Sequence, residues 1–240
     1  MVALAQTAQA LPEGRVKEYL SQGAGRRVGV IAHCLRRIFH TFPPSLDVPL
    51  GREDRYDVQV AHHAFVMNLY GFFENLAWAF ILRHDLEKTV GGKKKIGLFV
   101  KATQALLPTE LRSYLTSTQM ADWHDKYLKN YRDALAHRIP LYIPPSTWTP
   151  DDVIESETLQ AQEHAAIFSG KWELLEEIRD KKATLGKPCL FFAHSFNDTD
   201  DPRPIYLHPQ LLCDAKTVLD FTPRFLASWH MRASQETPSK

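Results

Sequence analysis

Cysteine is scarce: Cys34, Cys189 and Cys213 are the three in 240 residues, an odd number with no paired spacing. That excludes a disulfide framework and a cysteine-rich zinc site, and it leads us to expect reduced thiols in a cytoplasm. An excess of one charge is also lacking, since 29 Lys and Arg against 28 Asp and Glu leave a formal +1. A protein held to nucleic acid by its overall positive charge is excluded, whereas a local basic cleft is not. No run approaches the ~20 apolar residues that a membrane helix needs. The opening MVALAQTAQALPEG has neither the basic segment nor the apolar run of a secretory signal, and its first cation is Arg15. The expectation is therefore a cytoplasmic protein that makes no membrane contact. Also missing are a phosphate-binding loop, a nucleophile elbow, an HExxH pair and a glycine-rich dinucleotide fingerprint, so no cofactor is expected. Gly91-Gly92-Lys93-Lys94 is too short to serve as a phosphate loop. There is no internal repeat, and the one low-complexity tract is the polar tail after Ala233.

With 44% hydrophobic and 24% charged residues, the composition is that of a globular protein. The length suits a single helical domain spanning residues 1–240. Between Tyr56 and Leu86, Val58, Ala61, Phe65, Leu69, Phe72, Leu76 and Phe80 fall three or four apart. That spacing predicts one long amphipathic helix, with His62, Asn68, Asn75 and Arg83 on its other side. A second long helix is predicted from Leu107-Pro108-Thr109-Glu110 through Trp123, Tyr127, Tyr131 and Leu135, ending before Pro140. Lys93 to Ala105 reads as a shorter helix after the Gly91-Gly92 break, and an N-terminal helix is expected within residues 12–40 despite Gly23, Gly25 and Gly29. The aromatics, including Phe72, Phe73, Trp78, Trp123 and Tyr131, recur at helical spacing and are expected in the core.

The C-terminal extension, residues 149–232, opens on Thr149-Pro150-Asp151-Asp152, a capping sequence. A helical stripe through Ile154, Phe168, Trp172, Leu175 and Ile178 follows, fading by Gly186. Cys189–Ala193 and Ile205–His208 are the strand-like segments, separated by the turn-rich Asn197 to Pro202. The aspartates Asp198, Asp200 and Asp201 read as a solvated turn. A last helical pattern runs through Leu212, Leu219, Phe225 and Trp229, with Pro223 expected to divide it. The fold class is mainly α: an antiparallel helical bundle with extra helices and a small C-terminal β-hairpin.

The segment NYRDALAHRIPLYIPP, residues 130–145, places an arginine, an acid and a histidine at the end of the second long helix. At ~100° per residue Arg132 and His137 lie ~140° apart and would flank one side of the helix. Asp133 and His137 are four apart, so the carboxylate is placed to accept a hydrogen bond from the imidazole and raise its basicity. Arg132 offers a planar fork for phosphate, and Arg138 adds a second cation. An anion clamp beside an oriented histidine is what cleavage of a phosphodiester through its own 2′-hydroxyl requires. The same residues would also suit a charge network capping a helix C-terminus.

This segment resembles the Arg, four-to-six residues, His motif of the HEPN family, the higher eukaryotes and prokaryotes nucleotide-binding domains, with Asp133 in the position after the arginine. The similarity spans roughly residues 55–145. It implies a helical bundle acting as a metal-independent endoribonuclease of a toxin–antitoxin or defence system. Arg132 and His137 would be catalytic, and Asp133 and Glu74, in YGFFENLAW, would support them. It also implies a homodimer, RNA such as tRNA as substrate, and an inhibitory partner protein. A HEPN-like module that binds nucleotide or RNA, or mediates dimerisation without turnover, stays open beside it.

Other candidates carry less. His62 and His63 are adjacent and point ~100° apart, unsuited to chelating one metal, so no metal is expected. Asp122, His124 and Asp125 form a polar patch, by default a solvated helix face; His124, eight residues before Arg132, is expected on the same side of the helix and to extend an RNA-binding surface. Lys93 and Lys94, with Lys95 and Lys101, make a basic cluster that binds phosphates if it faces the cleft.

Overall fold

The computed structural model describes residues 2–194 and 203–231, and it is mainly α with one small antiparallel sheet. Asn197 to Pro202, including the three aspartates, and the tail after Ala233 lie outside the described residues. Two compact units are present. The first comprises Met1–Leu35, His63–Pro140 and Leu211–Lys240, and the second Arg36–His62 and Leu141–Gln210. Most of the 55–145 stretch falls in the first.

The chain opens with α1 (Val2–Gln9), then α2 (Arg15–Lys17), a π-helical stretch over Glu18–Gly25 and α3 (Arg26–Thr41). Gly23 and Gly25 thus widen the helix into a π turn instead of ending it. Next comes α4 (Arg52–Arg83), one long helix as the spacing predicts. All seven residues of its expected inner face, from Val58 to Phe80, are buried. Its other side is less polar than expected, because Phe73, Ala77, Ala79 and Ile81 are buried as well. This helix is therefore long and apolar enough to cross a membrane, which the expectation of no such run missed. Core packing accounts for that apolarity: 56% of its most apolar window is buried.

Phe73 sits in an aromatic cluster with Phe72, Phe99, Trp123 and Phe221, at centroid distances of 5.1 to 5.8 Å. Trp123 Nε1 donates to the buried carboxylate of Asp214 at 2.8 Å. These contacts tie α4 to the segments that follow it.

Lys93 to Ala105 is not one helix. Lys93–Lys95 form a 3₁₀ turn, and α5 is only Lys101–Gln104. Between them Thr103 Oγ1 accepts from Gly97 N–H and donates to Lys95 C=O, a local closure that replaces helical bonds. The second long helix is likewise divided into α6 (Thr109–Leu115), α7 (Thr118–Trp123), a π turn over His124–Leu128 and α8 (Lys129–His137). The hydroxyl run at 116–118 causes the first break, since Ser117 accepts from Met120 N–H and so starts a new helix.

In the second unit, Thr149 and Asp152 form the expected capping box at the start of α9 (Pro150–Phe168). Gly170, with φ 69°, stands between this helix and α10 (Trp172–Ala183). The predicted stripe is only half right: Leu175 and Ile178 are buried with Leu159 and Ala166, whereas Ile154, Phe168 and Trp172 are exposed. Strands β1 (Phe191–His194) and β2 (Arg203–Tyr206) pair antiparallel with Phe191 opposite Tyr206. His208 Nε2 donates to Phe42 C=O at 2.6 Å within the same unit.

The last helix, α11 (Leu207–Ser228), runs through Pro223 without a break. A proline inside a helix costs ~3 kcal/mol, and the fully buried Phe221 and Phe225 on either side hold the helix together. Leu212 and Leu219, expected inside, are exposed; Leu211 and Val218 take their place.

Phe73→Ala should lower the unfolding free energy by about 3–5 kcal/mol, and Phe73→Leu by less, as measured by denaturant titration.

Candidate functional site

Within the first unit, α4 and α8 bring four polar side chains to one place. Tyr70 and Glu74 are four residues apart on α4 and share a face. Arg132, on α8, lies over the Tyr70 ring with its Cζ 4.2 Å from the centroid, and its Nη2 donates to the Tyr70 hydroxyl at 2.9 Å. Nη1 pairs with Asp133 Oδ1 at 2.8 Å. Arg132 Nε is buried and has no hydrogen-bond partner among the described residues. An orphan donor on a fixed guanidinium is a place for an oxygen of water or of a ligand.

Burial raises the Glu74 carboxyl above the ordinary glutamate range, and the Arg132 charge draws it only part of the way back. The carboxyl accepts no hydrogen bond among the described residues. It lies against Gly97, where an added Cβ would come within 3.0 Å of Oε1. A half-buried acid whose pKa is raised beside an arginine is a group suited to proton transfer. Burial also raises the Tyr70 hydroxyl, and its hydrogen bond from Arg132 opposes that rise.

His124 joins this cluster from the π turn. Its ring stacks on Phe99 at 3.9 Å and 9°, and it stands 6.3 Å from the Tyr70 ring. Nδ1 donates to the Asp125 carboxylate at 2.7 Å, which leaves Nε2 as an acceptor. Burial lowers its pKa, and the bond to Asp125 opposes the shift. His124 is not part of a solvated helix face: it is 8% exposed, because the π turn carries its ring onto Phe99. A π turn inside a helix often marks a functional site.

The remaining candidates are placed differently. His137 is the last residue of α8, is exposed, and makes no hydrogen bond or ion pair among the described residues. Asp133, expected to hold its imidazole, pairs instead with Arg132 and lies 4.0 Å from Arg138 Nη2. The reason is local: Arg138 leaves the helix in an extended conformation and its guanidinium reaches back to the carboxylate. Asp133 and Arg138 therefore make the charge network of a helix end, while Arg132 reaches α4. Lys93 and Lys94 are exposed on the 3₁₀ turn, without an ion pair among the described residues. Among the described residues, no three His, Cys, Asp or Glu side chains are grouped to hold a metal ion.

Tyr70 and Phe99 escaped the sequence reading. Tyr70 had a usable signal, four residues before Glu74 on the same helix, whereas nothing in the spacing marks Phe99, which reaches His124 from an irregular loop.

The raised Glu74 pKa means that the folded state binds its proton more tightly than the unfolded chain does. That contributes stability at acid pH which is lost as pH rises through the folded value. Glu74→Gln should therefore raise the melting temperature at neutral pH, with the gain shrinking toward acid, as followed by thermal unfolding across pH. A variant less stable than the parent at neutral pH would contradict this.

No protein-family model matches this chain, and no solved structure matches it.

Proposed function

We propose that the chain is a HEPN-like, metal-independent endoribonuclease that cleaves RNA through its own 2′-hydroxyl. The observation that supports this most is Arg132, held between the Tyr70 hydroxyl and Asp133 beside the half-buried Glu74, with a buried Nε left unbonded. In this reading the 2′-oxygen attacks phosphorus and the 5′-oxygen leaves, which gives a cyclic phosphate and a 5′-hydroxyl. Arg132 stabilises the charge on the phosphorane, and Asp133 positions Arg132. His137 is the acid/base, and Glu74 sits across the cleft in support.

The same reading makes RNA, tRNA included, the substrate and the cytoplasm the place of action. A second copy of the motif would complete the site in a homodimer, and a partner protein of a toxin or defence system would restrain it. The exposed Arg138, Lys93 and Lys94 would meet RNA phosphates.

One observation favours a second reading, a HEPN-like module that binds nucleotide or RNA without turnover. His137 has no hydrogen bond among the described residues to fix its tautomer or its direction.

Bulk cellular RNA and tRNA incubated with the protein in chelator separate the two. Cleavage leaving cyclic phosphate ends, reduced about 10²–10³-fold in folded Arg132→Ala and His137→Ala, is the expected result. Undiminished cleavage in both variants would remove these residues from the site. Binding without cleavage by the parent would favour the second reading. Lys93→Ala and Lys94→Ala should each reduce the salt dependence of RNA affinity by a log–log slope of about 1.

A further inference from the structure

A second polar cleft lies in the first unit, formed by α2, the π-helical stretch over Glu18–Gly25 and α3 with other residues of α4. Its volume is about 550 Å³, within the range of small-molecule sites, and its lining includes Arg15, Tyr19, Arg26, Arg27, Asn68 and Asn75. Asn68 and Asn75 are seven residues apart and occupy a different side of α4 from Tyr70 and Glu74.

Arg27 is the fixed part of this cleft. Its Nε donates to Asn75 Oδ1 at 2.9 Å and its Nη1 to Asn68 Oδ1 at 3.2 Å. Both acceptors are neutral amides, and no carboxylate pairs with this half-buried guanidinium among the described residues. Two glycines make the geometry possible. A Cβ at Gly71 would come within 2.4 Å of the Arg27 Cζ, and one at Gly23 within 2.8 Å of the Asn75 Cγ. The guanidinium therefore lies on the backbone of α4, held in place with its charge uncompensated. Amide oxygens orient a cation without neutralising it, and a partly desolvated cation gains most from an incoming anion.

The surroundings add charge. Arg26 is exposed and has no ion pair among the described residues. Arg15 is 3.9 Å from Glu87, an exposed pair that an anion can draw apart. Glu18 is the one acid among the lining residues. Tyr19 stacks on Trp78 at 5.5 Å and 7°, which gives the cleft a rigid aromatic wall.

We propose that this cleft binds the phosphate of a small ligand of nucleotide size, with Arg27 as its preset cation and Arg26 and Arg15 completing the clamp. The site is separate from the Arg132 cluster and does not depend on the ribonuclease reading. The phosphate could belong to a free nucleotide or to the 5′ end of an RNA strand.

Calorimetry of the full chain with inorganic phosphate, AMP, ATP, adenosine and succinate tests the proposal. Phosphate-bearing compounds should bind, and adenosine and succinate should bind at least about tenfold more weakly. Asn75→Asp is the informative variant because it keeps the shape while placing a carboxylate on Arg27. It should lower AMP affinity at least about tenfold without lowering the melting temperature, and the exposed Arg26→Ala should weaken AMP binding too. A 5′-phosphorylated oligoribonucleotide that competes with AMP, where its 5′-hydroxyl form does not, would identify a strand end as a source of the phosphate. Absence of phosphate binding, equal affinity in Asn75→Asp, or binding abolished by Arg132→Ala but kept in Asn75→Asp would each overturn the proposal.

Discussion

A guanidinium that is three-quarters covered needs partners for its donors and its charge, and Arg132 finds them for Nη1 and Nη2, though not for Nε among the described residues, by joining two helices. The Tyr70 ring and hydroxyl, both on α4, cover one part of it, and Asp133 on α8 takes another. Glu74 then sits in a place where burial argues for a proton and the arginine argues against one, and burial dominates. Arg132 thus keeps Asp133 as its carboxylate partner, and its buried Nε has no hydrogen-bond partner among the described residues.

The aromatic cluster beneath supports this arrangement. Phe73 packs on Phe99 and Trp123, and Phe99 in turn carries the His124 ring at stacking distance. The floor of the polar site is therefore the edge of the core, and stacking on Phe99 together with the hydrogen bond to Asp125 fixes the imidazole. This stretch of α4 serves two polar neighbourhoods, with Tyr70 and Glu74 turned to Arg132 and Asn68, Gly71 and Asn75 turned to Arg27. The two arginines differ in their partners, since Arg132 meets a carboxylate and Arg27 meets only amides.

Much of the helical architecture was legible in the sequence because the apolar period of α4 is regular from Val58 to Phe80, about six turns, and because Thr149 and Asp152 spell a capping box. What periodicity could not carry was decided by short-range competition. The hydroxyls around Ser117 start a new helix, Thr103 closes a loop where a helix was expected, and buried neighbours override Pro223. In the site, Arg132, Asp133 and Glu74 were named from the sequence, Glu74 through the resemblance, but the pairing of Asp133 with Arg132 in place of His137 was not. The burial of His124 did not follow, because a π turn shifts the register by a residue and 3.6-residue reasoning has no means to anticipate it. The direction of Asp133 was lost for a related reason: Arg138 acquires its reach only where the helix ends.

The account turns on a buried Glu74 whose pKa is raised by burial and held down in part by Arg132. A carboxyl-detected NMR titration of Glu74 in the parent and in Arg132→Ala measures that directly. The account predicts a Glu74 pKa above the ordinary glutamate range in the parent, rising further once the Arg132 charge is removed. A titration in the ordinary range that ignores the loss of Arg132 would contradict it.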